Sequence, residues 1–126
     1  MSDTRKRALA YLQKVIGEVP EKLVSASKFF KPEESWTQKE TWWFNLPIKK
    51  IKGNKKKYYY FLGARKKGEK GFVIVEVPNR FLITNLRGLE TRYDNKVILH
   101  LAAYKDNWLI DERGKDRLNF SRFEIK

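Results

Sequence analysis

Between Lys49 and Lys70 the chain reads KKIKGNKKKYYYFLGARKKGEK, with ten basic residues, one acid and four consecutive aromatics. The segment carries +9 of a formal net charge of +13, leaving only +4 for the rest of the 126 residues. Charge gathered this tightly repels itself and is best tolerated where an anionic partner offsets it. Lysine and arginine beside phosphates release condensed counterions. Aromatic rings stack on bases, at about 1–3 kcal/mol per base. Lys49, Lys50, Lys52, Lys55, Lys56, Lys57, Arg65, Lys66 and Lys67 are therefore candidate phosphate contacts. Tyr58, Tyr60 and Trp43 are candidate rings to pack against base and sugar. In a strand, Phe61 in the core takes Tyr59 with it and leaves Tyr58 and Tyr60 toward solvent, the arrangement expected here, whereas Leu62 in the core reverses it. The same composition also has a structural use, since edge lysines block sheet-to-sheet aggregation and tyrosines favour strands. Asn79, Arg80, Arg87 and Arg92 are of the types that read base edges.

A second chemistry lies at the C-terminus. Asp111 followed by Glu124-Ile125-Lys126 resembles the D…E-x-K signature of metal-dependent nucleases. The resemblance implies that Asp111 and Glu124 hold Mg²⁺ while Lys126 stabilises charge or orients water. The pattern departs from that family in two ways: no proline precedes Asp111, and the helix and strand that would follow Lys126 are missing. His100 is the only histidine. It sits between Leu99 and Leu101 with no Ser or Asp partner by motif, and reads as structural. The absence of cysteine removes disulfides, thiol nucleophiles and cysteine-ligated zinc, and fits a reducing cytoplasm. There is no P-loop and no glycine-rich dinucleotide motif. No cofactor is expected outside the nuclease alternative, which needs Mg²⁺.

These residues need elements to position them. Leu9, Leu12 and Ile16, widened by Ala8 and Val15, predict a helix over about 3–16 that stops at Gly17. Arg5, Lys6 and Lys14 fall on its solvated side. Residues 20–30 fit either a short helix entered through Pro20 or an extended run. Trp36, Trp42 and Trp43 form a second aromatic cluster. Thr41–Ile48 alternates, with Trp42, Phe44 and Leu46 inward and Pro47 suited to an edge or a strand end. Gly53-Asn54 and Lys67-Gly68 predict turns, flanking a strand at about 57–63 and followed by another at 72–77. Together these runs predict an antiparallel meander whose first hairpin displays the lysines. Phe81–Leu86 fits a strand or a short helix. Val97–Tyr104 predicts a strand, followed by shorter runs at Trp108–Asp111 and Leu118–Ile125, the last with a phase slip like that of a bulge.

The whole is expected to be one basic α+β domain spanning residues 1–126. Its N-terminal helix packs on a curved, mainly antiparallel sheet of about six or seven strands, with partial closure into a barrel as one outcome. No apolar run reaches the roughly eighteen residues of a membrane span. The N-terminus does not read as a signal peptide, so a cytoplasmic or nucleoid-associated location is expected. The function expected is nucleic-acid binding, DNA ahead of RNA, through a Lys- and Tyr-rich β-hairpin and without catalysis. The alternatives are a Mg²⁺-dependent nuclease or recognition domain of a restriction or modification enzyme, and a module that binds an acidic protein. The oligomeric state is left open.

Overall fold

The structure, a computed structural model, describes residues 3–35, 37–92 and 94–126. Trp36 lies outside them. The described residues form an α+β arrangement of three helices and seven strands. Helix α1 spans Asp3–Ile16, β1 Val24–Ser27, β2 Thr41–Pro47, α2 Ile48–Lys52, β3 Tyr58–Ala64 and β4 Phe72–Pro78. Then come α3 at Asn79–Thr84, β5 at Glu90–Arg92, β6 at Lys96–Ala102 and β7 at Glu124–Ile125. The strands build two sheets, one in the order β1-β3-β4-β7 and the other β2-β6-β5. The pairings are antiparallel except β1 with β3.

Three layers result from two apolar clusters. Trp42, Phe44 and Leu46 of β2 and Val97, Leu99 and Leu101 of β6 meet Tyr59 and Phe61 of β3 and Val73, Val75 and Val77 of β4. This is the core between the sheets, where Phe44 and Phe61 stack at 5.3 Å. On the other side of the first sheet, Ala8 and Leu12 of α1 cover Val24, Tyr60, Leu62, Ala64, Phe72 and Ile74. Each fully buried Leu, Phe or Val contributes about 1.5–3 kcal/mol. The helix ends where the sequence places it, at Gly17 with φ +83°. Residues 20–30 combine both readings: a 3-10 turn at Glu21–Leu23 leads directly into β1.

The expected single curved sheet, with its partial barrel closure, is replaced by two separate sheets and no closed barrel. The meander also fails at its first step. β2 pairs with β6 and β3 pairs with β4, so no hairpin joins β2 to β3. The reason is visible in their side chains. β2 is apolar on one face only, as an outer sheet requires, whereas β3 is apolar on both. Residues 48–57 between them are also too many for the usual hairpin loop of about 2–5 residues. They cross from one sheet to the other instead. The β3–β4 connection is the hairpin that forms. Phe81–Leu86 resolves as α3 and a following 3-10 turn, and the phase slip near Phe120 is a 3-10 turn at Ser121–Phe123 rather than a bulge.

The two sheets touch closely at Gly63, where an added Cβ would lie 2.5 Å from the Trp42 ring. That ring is fixed by its Nε1–H, which donates to Ala64 O at 2.8 Å. Gly63→Ala is expected to lower stability by about 1–3 kcal/mol through overpacking. A fall in the urea midpoint at constant m-value is the readout. An unchanged midpoint would contradict this packing.

Candidate nucleic-acid interface

Lys49, Lys50 and Lys52 lie on α2, a five-residue helix anchored by buried Ile51. Lys55, Lys56 and Lys57 follow on exposed turns. This stretch is tied down along its length. Gly53 N donates to Lys49 O at 2.9 Å and Asn54 Nδ2 to Lys50 O at 2.7 Å, closing the C-terminal end of α2. Lys57 N donates to Asn54 O at 2.9 Å. From the start of α3, Asn79 Nδ2 donates to Asn54 O at 3.1 Å and Asn79 N to Lys57 O at 3.0 Å. Asn79, a candidate base reader by sequence, is fully buried and serves as this clamp. Arg80, Arg87 and Arg92 are exposed.

Among the described residues, the ion pairs within 4.0 Å involve none of Lys49, Lys50, Lys52, Lys55, Lys56 and Lys57. Their charge is left to solvent and to whatever approaches. Arg65, Lys66 and Lys67 emerge at the opposite end of β3, about 20 Å away at roughly 3.3 Å per residue. There Lys66 pairs with Glu69 at 3.8 Å. The basic segment that is continuous in sequence is thus two separate surfaces.

The aromatic candidates divide similarly. Tyr58 is 47% exposed beside the lysines. Tyr60 is 9% exposed under α1, and its hydroxyl donates to Glu76 Oε2 at 2.6 Å. Burial first, then that carboxylate, pushes its pKa well above the usual value. Its expected solvent position fails because α1 covers the second face of β3. Trp43 does face outward on β2, but its ring is stacked between Phe30 at 3.9 Å and His100 at 4.8 Å. Two protein rings therefore already stack on the indole that was to meet a base.

The Trp43 stack forms one wall of a hollow on the outer face of the second sheet. Its volume is about 350 Å³, and Asn45, Arg92, Asp94, Lys96 and Arg113 also line it. A second hollow of about 400 Å³, lined by Arg5, Ser25, Asn45, Lys50, Tyr59 and Lys96 among others, adjoins it. Asn45 and Lys96 line both hollows. Arg5 reaches the second hollow from α1, held by its guanidinium donating to Val24 O at 2.7 Å and Glu21 O at 2.8 Å. The sequence pattern placed Arg5 on the solvated helix face, and no local signal showed that it lies over the end of β1. Arg113 approaches Glu90 at 3.9 Å, and Lys96 approaches Asp94 at 3.9 Å.

The residues resembling a nuclease motif are not brought together. Asp111 bridges to Leu101 of β6, whereas Glu124 lies on β7 of the other sheet, opposite Val75. Asp111 is fully buried. Its carboxylate accepts the backbone N–H groups of His100 and Arg113 at 3.1 Å and of Gly114 at 3.0 Å. Burial raises its pKa while these bonds pull it down. Glu124 Oε1 accepts from Trp108 Nε1 at 2.9 Å, and Lys126 is exposed. Among the described residues no group of three or more His, Asp and Glu is placed to hold a metal ion.

Compared with known proteins, the chain matches no family model, no curated protein and no solved structure.

His100, structural by sequence, is buried, and its pKa falls from 6.5 to about 4. Burial is the main cause, followed by the charges of Arg113 and Arg92. On unfolding it regains an ordinary value, so the unfolded chain binds the extra proton between pH 6.5 and about 4. Its contribution to stability therefore diminishes as pH falls through that window. An NMR titration is expected to place the His100 ring midpoint near 4. A midpoint at the ordinary histidine value would contradict its burial beneath these arginines.

Proposed function

We propose that the protein is a nucleic-acid-binding domain, with DNA the ligand to test first, and that it binds without catalysis of its own. The observation carrying this reading is the run of six lysines from Lys49 to Lys57 with no carboxylate within ion-pair distance among the described residues. A solubilising surface gains most from charges of both signs interspersed. A cluster of one sign, held by α2 and the Asn54–Asn79 bonds, is arranged for a polyanion. Lys49, Lys50, Lys52, Lys55, Lys56 and Lys57 would contact phosphates, and Tyr58 would pack its exposed ring on sugar or base. Arg65, Lys66 and Lys67 form a second contact available only to a ligand long enough to pass along the first sheet. Because the lysines cross between sheets and do not form a two-stranded ribbon, the contact is with backbone phosphates more than with base edges.

Engagement of about six phosphates predicts that log K falls with log salt at a slope near −5 on duplex DNA. Replacing Lys55, Lys56 and Lys57 together by Glu is expected to weaken binding about tenfold or more, equally for unrelated sequences. Fluorescence anisotropy at several salt concentrations measures both, with circular dichroism confirming the fold of the variant. Affinity that ignores salt, or a triple variant that binds like the parent, would remove this segment from the interface.

A further inference from the structure

We propose that the hollow bounded by Arg5, Ser25, Asn45, Lys50, Tyr59 and Lys96 is a seat for a phosphate group. The proposal deepens the nucleic-acid reading and rests on it for the source of that phosphate. Three cations reach this space from three separate elements: Arg5 from α1, Lys50 from α2 and Lys96 from β6. None of the described residues lining it is acidic. Convergence of like charges from distant parts of the chain costs repulsion that an anion between them relieves.

The donors are also set in advance. The Arg5 guanidinium is aimed by the carbonyls of Val24 and Glu21, so little orientation is lost when a ligand arrives. Ser25 Oγ lies 3.5 Å from Asn45 O, placing a hydroxyl at the wall. Tyr59 stays a neutral phenol, its pKa pushed up to about 12 by burial while Arg5 opposes the shift. Among the described residues Lys96 pairs with Asp94 at 3.9 Å, both half exposed, an ion pair weak enough for a phosphate to compete with. The volume of about 400 Å³ admits a phosphate with its attached sugar. Asn45 and Lys96 also line the neighbouring hollow, together with Arg92, Asp94 and Arg113.

The chemistry is that of a phosphate ester or of free phosphate, and titration by NMR separates the two sources. Inorganic phosphate is added in one arm and an oligonucleotide in the other, a short DNA duplex. Phosphate is expected to shift the amide signals of Ser25, Ala26, Asn45 and Tyr59. The oligonucleotide is expected to shift the same set together with Lys55–Lys57. Lys96→Glu, outside the lysine segment, is expected to weaken both ligands by about fivefold. Arg5→Gln is a second variant with the same expectation, should Lys96→Glu disturb β6. Shifts with phosphate and none with the oligonucleotide would uphold the seat, assign it to free phosphate and remove the nucleic-acid reading. An oligonucleotide that binds while these four amides stay still in both arms would overturn the seat and leave the function standing. No shift with either ligand would overturn both.

Discussion

β3 is covered on both faces, and the placement of the basic run on either side of it follows from that. Tyr59 and Phe61 meet the second sheet while Tyr60 and Leu62 meet α1. A strand so enclosed has no room for unpaired lysines, because burying an uncompensated charge costs several kcal/mol. The basic residues before and after it are therefore driven to its two ends. Those before it become the α2 crossover, and those after it become the β3–β4 loop. One enclosed strand thus turns a continuous basic sequence into two cationic surfaces separated by its own length.

Self-repulsion at the first of these surfaces is offset locally by backbone hydrogen bonding. Asn54 and Asn79 fix the turn, and Ile51 anchors the helix in the core between the sheets. The positions of Lys49, Lys50 and Lys52 near the C-terminal end of α2 also suit the negative end of the helix dipole, though a helix this short gains little from it. What stays uncompensated is the outward field. The hollow lined by Arg5, Lys50 and Lys96 adds to it.

Where one face decided burial, the sequence was legible. The α1 stripe, the alternation of β2 and the inward Val97, Leu99 and Leu101 of β6 are each a local pattern with one solution. Pro47 marks both the end of β2 and the edge position of that strand. Strand partnership was not legible, since it depends on which strands share a layer and not on adjacency in sequence. That is why the β2–β3 hairpin was expected where a crossover stands. Tyr60 was misplaced for a related reason: alternation assigns its face but does not show that a helix covers it. Trp43 falls on the face that its alternation assigns, yet no local spacing reports that Phe30 and His100 stack on its ring. The candidate site was accordingly legible as a charge cluster and illegible as a shape. Arg5 and Lys96 enter it through tertiary packing that no spacing in the chain reports.

In the proposed complex a polyanion meets the α2 crossover and not the covered faces of the first sheet. Photo-crosslinking a bound oligonucleotide and mapping the adducts by mass spectrometry tests it most directly. The account predicts adducts concentrated from Lys49 to Tyr58. Adducts confined to the exposed side of α1, or spread evenly over all surface lysines, would contradict it.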